Sequence, residues 1–194
     1  MAADAWNLVR LAHPPAENNG MKNPVLSEKL KCIQLLLLDV DGVLTDGAII
    51  YSHDGSETKN FNVKDGLGLK LAMEAGIKVG VVTGRKSPAL DHRCRDLGIR
   101  YSFVGIQDKA KILGKITKQT GVAPEDTAYI GDDLPDLSLM RHVGLSIAVA
   151  DAHKTVLKKA DWTTSAEGGC GAVREVCEAL LQARGEWEKL IDQF

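Results

Sequence analysis

The chain has 194 residues, a hydrophobic fraction of 44%, a charged fraction of 26% and a formal net charge of -2. This composition is typical of one soluble globular domain. It disfavours nucleic acid as a partner, because binding nucleic acid needs a basic surface. It also disfavours a membrane, because spanning one needs a long apolar run. The four cysteines show neither CxxC pairing nor zinc-ligand spacing, and no secretory leader precedes the first strand, so we expect reduced thiols and a cytoplasmic protein.

The first 25 residues lack the regular apolar pattern of the rest of the chain. They contain a weakly amphipathic piece around Trp6, the pair Pro14-Pro15 and the polar run Glu17–Gly20, and the periodic pattern begins only near Leu26. We therefore expect residues 1–25 to be a poorly ordered N-terminal extension and residues 26–194 to form one domain.

The apolar run Leu35–Leu38 predicts a strand at the centre of the fold. Four successive leucines leave no polar face, so this strand should be covered on both sides, as parallel strands of α/β proteins are. Asp39 and Asp41 follow it, and a β-hairpin is predicted over Gly47–Val63. Because the hairpin comes directly after the two acids, it is a candidate flap over the site, although an ordinary edge hairpin fits the pattern equally well.

Helical and strand patterns then alternate regularly to the end of the chain. Start and stop signals, such as Ser87-Pro88 before one helix and Gly98 after it, mark the boundaries. Strands separated by helices of this length predict an α/β fold with a doubly wound parallel sheet. The predicted helices are one capped by Asp65 and ending at Gly76, one between Ser87 and Gly98, Lys109–Thr120, one starting at Pro135, Lys154–Lys159 and one from Ala172. The predicted strands are Ile77–Val82, Ile99–Val104, Thr127–Ile130, Leu145–Val149 and one near Trp162.

Four groups of functional side chains stand just after predicted strands. They are Asp39-Val40-Asp41, Thr83-Gly84-Arg85, Lys109 and Gly131–Asp136. A parallel sheet gathers the carboxyl ends of its strands along one edge, so these groups should meet in one crevice. Singly, each is more often a turn or a solvated side chain, but their order, each after its own strand, is specific. Carboxylates, a hydroxyl and an ammonium group gathered there are what phosphoryl transfer requires.

The carboxylates divide into three predicted roles. Asp39 is the candidate nucleophile, since a carboxylate can form an aspartyl-phosphate that splits one hard step into two. Asp41 can give a proton to the leaving oxygen and later take one from water. Asp132 suits Mg²⁺ binding, with Asp136 and Asp133 supporting it, and the cation would keep these crowded acids ionised.

The phosphate and the rest of the substrate have candidate partners of their own. Thr83 can offer its hydroxyl, and nearby amides such as that of Gly84 can offer donors, to a phosphoryl oxygen. Lys109 can hold both nucleophile and phosphate as a point charge. Arg85 carries a planar guanidinium that matches a carboxylate on the substrate.

These motifs resemble those of the haloacid dehalogenase (HAD) superfamily of phosphatases, and within it the 3-deoxy-D-manno-octulosonate 8-phosphate (KDO 8-phosphate) phosphatase family. The resemblance runs from about Ile33 to the C-terminus, although Cys170 stands where relatives often carry Arg. It rests on Asp41–Gly47, Phe61–Gly66, Thr83–Arg85, Gly131–Leu134 and Gly171–Glu175.

That resemblance implies a HAD-like Rossmannoid fold with a hairpin flap and no cap domain. It implies Asp39 as nucleophile and Asp41 as acid and base, with Mg²⁺ bound by Asp39, Asp132 and the main-chain carbonyl of Asp41. It makes Thr83 and Lys109 the phosphate-binding pair. It further implies a phosphorylated sugar-acid substrate, a place in lipopolysaccharide precursor synthesis, and a homotetramer in which the hairpin meets a neighbouring subunit.

Three other interpretations remain. The substrate could be a related sugar acid such as a nonulosonate 9-phosphate, because the superfamily motifs fix the chemistry and not the sugar. A signalling receiver domain also places acids, a Thr and a Lys at strand ends, but by resemblance its paired acids come first and its Lys last, unlike here. A non-catalytic HAD-like oligomerisation lobe is disfavoured by the complete set of motif residues.

Overall fold

The computed structural model describes residues 24–194, so residues 1–23 of the predicted extension lie outside the described residues. Among the residues described, no helix is both long and apolar enough to cross a lipid bilayer. The helices in residues 24–194 are α1 (Pro24–Cys32), α2 (Val63–Glu74), α3 (Pro88–Leu97), α4 (Leu113–Thr120), α5 (Leu137–Met140), α6 (Lys154–Leu157), α7 (Ala172–Ala183) and α8 (Trp187–Ile191), with 3-10 helices at Pro124–Asp126 and Leu134–Asp136. The strands in the same range are β1 (Leu35–Leu38), β2 (Ile50–Tyr51), β3 (Glu57–Thr58), β4 (Lys78–Thr83), β5 (Tyr101–Val104), β6 (Thr127–Gly131), β7 (Leu145–Ala148) and β8 (Trp162–Thr163).

The larger sheet of the described chain has six parallel strands in the order β5-β4-β1-β6-β7-β8. The chain builds outward from β1 in one direction, through β4 and β5, and then in the other direction, from β6 to β8. The order therefore reverses between β1 and β6, and ligands of such sheets bind beyond the carboxyl ends of the strands at this reversal. Asp39 follows β1 and Asp132 follows β6. The predicted doubly wound α/β fold is confirmed.

Strand β1 is fixed in the centre because its four leucines are fully buried between neighbouring strands and helices. Leu38 pairs with Val81 of β4 on one side and with Ile130 of β6 on the other. Burying each leucine contributes about 2 kcal/mol. The pairing continues one residue beyond the strand, since the Asp39 N–H donates to the Ile130 carbonyl at 2.9 Å. The core thus sets the position of the Asp39 backbone.

The hairpin after β1 is present as an antiparallel pair but is shorter than predicted. Strands β2 and β3 have two residues each, with Ile50 opposite Thr58 and Tyr51 opposite Glu57. Its turn closes through the Ser52 N–H, which donates to the Ser56 carbonyl at 2.9 Å. Within residues 24–194 this hairpin is the only sheet inserted between β1 and β4, in keeping with the absence of a cap domain that the resemblance implies.

The predictions for three helices were wrong, whereas other predicted bounds, such as those of β4 and β5, differ by one or two residues. Helix α4 begins at Leu113 and not at Lys109, because residues 109–112 form turns that bring the Lys109 side chain down into the sheet edge.

Helix α2 is capped by Asn62, whose side chain accepts from the Lys64 N–H at 2.8 Å. Asp65 is instead buried in the first turn of that helix and accepts from the Arg174 N–H at 2.8 Å, where it caps the start of α7. The helix predicted from Ala172 is two helices, α7 and α8, interrupted at Gly185, which has a φ of +69°.

Candidate active site

Lys109 joins the acid after β1 to the acids after β6. Its ammonium group lies 3.0 Å from Asp39 Oδ1 and 2.5 Å from Asp136 Oδ1, and it donates to the Tyr129 hydroxyl at 3.0 Å. The side chain is only 4% exposed. Burial alone would lower the pKa of Lys109, but the charges of Asp39 and Asp136 outweigh it and raise the pKa. Lys109 is therefore a fixed, charged ammonium group beside the Asp39 carboxylate.

Asp136 is saturated with hydrogen bonds from the protein. Its Oδ1 accepts from Lys109 and, at 2.6 Å, from the Tyr129 hydroxyl. Its Oδ2 accepts from the N–H groups of Asp132 at 2.9 Å and Asp133 at 3.1 Å. A carboxylate has about four acceptor sites, and four donors fill them here. Asp136 thus orients Lys109 and the loop after β6.

Asp133 lies at the edge of this arrangement. Its exposed side chain accepts from the Leu134 N–H at 2.8 Å and caps the short 3-10 helix, so its link to the site is the N–H that it gives to Asp136.

The carboxylates after β1 and β6 form a cluster in which the acids outnumber the one ammonium group of Lys109. Ligand oxygens of Asp39, Asp132 and Asp136 lie within 4.8 Å of one another. Burial, followed by the charges of Asp136 and Asp39, raises the pKa of Asp132 from 3.8 to about 8. Burial and the charge of Asp136 raise that of Asp39 to about 6, although Lys109 opposes the shift. Asp132 Oδ1 is buried and has no hydrogen-bond partner in the part of the chain that the structure describes.

Gly42 is the residue that lets the loop after β1 pass directly against Asp132. It has a φ of +91°, and a Cβ at this position would lie 2.2 Å from Asp132 Oδ2. Glycine is the residue that combines a positive φ with the absence of a side chain. The Asp41-Gly42 peptide therefore lies beside the acidic cluster.

The loop that contains Gly168 and Gly169 packs against Gly42 and the residues that follow it. The Gly169 N–H donates to the Val43 carbonyl at 2.9 Å, and the Gly169 carbonyl accepts from the Asn62 side chain at 3.1 Å. A Cβ on Gly168 would lie 1.8 Å from the Gly42 carbonyl oxygen. These contacts clamp the segment 42–46 from the C-terminal part of the chain.

The hairpin places two charged side chains that sequence reasoning missed, Lys59 beside Asp41, and Glu57 beside Lys59 and Arg85. The Lys59 ammonium group pairs with Asp41 Oδ1 and lies 3.3 Å from Glu57 Oε1. Arg85 Nε lies 3.6 Å from Asp41 Oδ2, and its Nη2 lies 2.5 Å from Glu57 Oε2 and 3.1 Å from the Tyr51 hydroxyl. The spacing of Glu57 and Lys59 indicates at most that the two side chains share a face, as residues two apart in an extended segment do, and does not indicate which face meets Asp41.

Thr83 and Gly84 lie at the same edge of the sheet, at the end of β4. The register pairs Val81 with Leu38, which puts Thr83 level with the loop after β1. Thr83 is buried, its hydroxyl accepts from the Arg85 N–H at 3.2 Å, and its carbonyl accepts from the Ile106 N–H at 3.0 Å. These bonds fix the loop that carries Gly84 and Arg85.

Comparison with known proteins identifies the family. A family model described as haloacid dehalogenase-like hydrolase matches residues 106–174. The 3-deoxy-D-manno-octulosonate 8-phosphate phosphatase of Salmonella typhimurium is 45% identical over 170 residues, which are 88% of this chain and 90% of that protein. The chain belongs to this phosphatase family. The resemblance of the motifs to HAD phosphatases is thereby confirmed.

Solved members of the KDO 8-phosphate phosphatase family share the fold described above. The enzyme from Yersinia pestis has a TM-score of 0.82 and 43% identity, covering 84% of this chain and 88% of that one. The enzyme from Moraxella catarrhalis, solved with magnesium, phosphate and KDO, has a TM-score of 0.84 and 43% identity, covering 87% and 97%. The enzyme from Haemophilus influenzae was solved with cobalt and is 46% identical, with a TM-score of 0.80 and coverage of 82% and 93%.

This member of the family has carboxylates that fit a divalent cation. Since Asp136 is saturated by protein donors, the open oxygens in the cluster are those of Asp39 and Asp132. The raised pKa values of these two acids and the unpartnered Asp132 Oδ1 are what a missing positive charge would cause. Oxygen ligands suit Mg²⁺, which uses few protein carboxylates and retains several waters.

Proposed function

We propose that the chain is a Mg²⁺-dependent phosphatase that hydrolyses KDO 8-phosphate to KDO and phosphate through an aspartyl-phosphate on Asp39, in lipopolysaccharide precursor synthesis. The observation that carries the proposal is the Asp39 carboxylate at the end of β1, 3.0 Å from the buried ammonium group of Lys109. The family relative solved with magnesium, phosphate and KDO supports the substrate and the cation.

The proposed reaction uses residues after four strands. Asp39 attacks phosphorus while Asp41 gives a proton to the departing sugar oxygen, so the phosphate ester bond breaks as the acyl-phosphate forms. Asp41 then takes a proton from the water that hydrolyses the acyl-phosphate. Lys109 and the loop of Thr83 and Gly84 hold the phosphoryl oxygens. Asp39, Asp132 and the Asp41 carbonyl would hold Mg²⁺, and the bound cation would supply positive charge next to the phosphate.

Arg85 is the proposed partner of the sugar-acid carboxylate. Its side chain is 41% exposed at the edge of the site, although Glu57 already accepts from its Nη2. A planar fork of donors can bind a carboxylate through two parallel hydrogen bonds.

A phosphate-release screen tests the proposal. The panel contains KDO 8-phosphate, a nonulosonate 9-phosphate and simple sugar phosphates, each assayed with Mg²⁺ and with EDTA, and Asp39→Asn is the control. We expect the highest kcat/KM with KDO 8-phosphate, loss of activity in EDTA and no turnover by Asp39→Asn, which keeps the shape of the side chain but cannot attack phosphorus. Faster turnover of the nonulosonate would reassign the substrate, and an active Asp39→Asn would remove the nucleophile.

We further propose a homotetramer located in the cytoplasm. The hairpin exposes Ile49, Ile50 and Tyr51 next to the site, which is apolar surface suited to a subunit contact. The free thiols of Cys32, Cys94, Cys170 and Cys177 suit a reducing compartment. Light scattering on the wild type and on a variant lacking Ser52–Ser56 tests the assembly. A fully active monomer would contradict it.

A further inference from the structure

The hairpin is tied to the sheet edge by a closed ring of four charged side chains. Glu57 and Lys59 come from the hairpin, whereas Asp41 and Arg85 come from the loops after β1 and β4. The pairs run from Arg85 to Glu57 at 2.5 Å, from Glu57 to Lys59 at 3.3 Å, from Lys59 to Asp41, and from Asp41 to Arg85 at 3.6 Å. A two-stranded hairpin is marginally stable alone, and these pairs link it to the loops after β1 and β4.

Lys59 and Arg85 differ in what they can reach. The Lys59 side chain is 2% exposed and the Arg85 side chain is 41% exposed. An ammonium group buried this deeply needs an anion, and Asp41 and Glu57 supply two. Arg85 is open to a substrate, whereas Lys59 is covered and acts on the protein's own carboxylates.

The ion pair with Lys59 makes the two oxygens of Asp41 different from each other. Lys59 holds Oδ1. Oδ2 is buried and has no hydrogen-bond partner within residues 24–194, with Arg85 Nε beyond hydrogen-bond distance. A carboxyl group that passes a proton to a leaving oxygen needs one oxygen that no protein donor holds and a fixed rotation, and this arrangement provides both.

We propose that Lys59 is the positioning residue of the Asp41 carboxylate, so that this group is aligned for proton transfer only when the hairpin is seated on the sheet edge. The inference rests on the acid and base role of Asp41 within the proposed function. The hairpin then has a task beyond covering the site, because it delivers the cation that orients the proton donor.

The test compares two leaving groups. An alkoxide leaving from a sugar phosphate needs a proton, whereas p-nitrophenolate leaves without one. The value of kcat/KM reports on the steps up to phosphoenzyme formation, when the leaving group departs. The variants are Lys59→Met, which keeps the length without the charge, Lys59→Arg, which keeps the charge, and Lys118→Met, an exposed lysine of α4, as the matched control.

For Lys59→Met we expect kcat/KM to fall about 100-fold with KDO 8-phosphate and less than about 5-fold with p-nitrophenyl phosphate. Inhibition by the product KDO should be unchanged. Lys59→Arg should recover part of the loss, and Lys118→Met should match the wild type. Melting curves followed by circular dichroism establish that each variant is folded.

Three outcomes would overturn the inference. Equal losses with both substrates would mean that Lys59 only maintains the fold. A higher KM together with weaker inhibition by KDO would make Lys59 a substrate contact. A Lys59→Met enzyme as active as the wild type would leave the ion pair without a role. If the wild type prefers another sugar phosphate, the substrate proposal fails, but the same comparison with that ester still decides the role of Lys59.

Discussion

Once divalent metal has been removed, the free energy of unfolding should fall as the pH rises from about 5 to about 8.5. In the metal-free protein, burial and the neighbouring charge of Asp136 raise the pKa of Asp132 to about 8 and that of Asp39 to about 6, both from 3.8. The folded protein therefore retains protons that the unfolded chain has released. The free energy of unfolding is therefore highest at low pH, where both acids are protonated, and falls as the pH rises towards the pKa values of the folded protein.

The shift of Asp132 sets the size of this effect. A shift of about 4 pKa units corresponds to about 6 kcal/mol at most, of which about 4 kcal/mol falls between pH 5 and 8. Asp39 and Asp132 perturb each other, so their shifts are not additive, and partial contact with water weakens both interactions. We therefore expect a loss of about 2 kcal/mol, which lowers the melting temperature of a protein of this size by about 4–8 °C.

Thermal melts in EDTA and in saturating Mg²⁺, at the two ends of this pH range, measure the effect. Mg²⁺ should raise the melting temperature more at the higher pH, because the ionised carboxylates bind it better. Asp132→Asn is the control and should reduce both the pH dependence in EDTA and the response to Mg²⁺. A melting temperature in EDTA that stays level or increases with pH would refute the reasoning.

Three further substitutions examine individual contacts. Lys109→Ala should lower kcat/KM by about 10²–10³, the usual loss for one preorganised charge, and normal turnover in phosphate-release assays would contradict this. Gly42→Ala should weaken Mg²⁺ binding in titrations, because its Cβ would lie 2.2 Å from Asp132 Oδ2, whereas Gly47→Ala, with a similar φ and 3.6 Å of clearance, should not. Tyr129→Phe removes a buried donor to Asp136 and should cost about 1–2 kcal/mol in chemical denaturation; an unchanged midpoint would show that this hydrogen bond is dispensable.

The sequence was sufficient to place Asp39, Lys109 and Asp132 together, because each follows a strand and parallel strands end at one edge. The reversal of strand order between β1 and β6 then brings Asp39 and Asp132 side by side. Local signals were less reliable for the start of α4. Burial of the Lys109 ammonium group between two carboxylates is a tertiary interaction, and it favours turns at residues 109–112 over a helix.

The position of the charged hairpin side chains relative to Asp41 could not be predicted in the same way. The face of β3 that lies towards Asp41 depends on how the hairpin folds back over the sheet edge. Strands of two residues have almost no periodicity from which this face could be predicted. Glu57 and Lys59 therefore had no predicted place in the site. Asp65 was assigned to the wrong helix for a different reason, because its partner, the Arg174 N–H, is distant in sequence.

The clamp on Gly42 has a consequence for how the chain can be divided. The proposed catalytic side chains are complete by Asp136, but the loop that grips segment 42–46 comes from Gly168 and Gly169. A fragment ending at Met140 would carry all of those side chains and still lack the part that shapes the turn after β1. Because that fragment would also lack β7, β8 and α7, we expect activity only when residues 141–194 are supplied as a second polypeptide that restores these elements together with the turn.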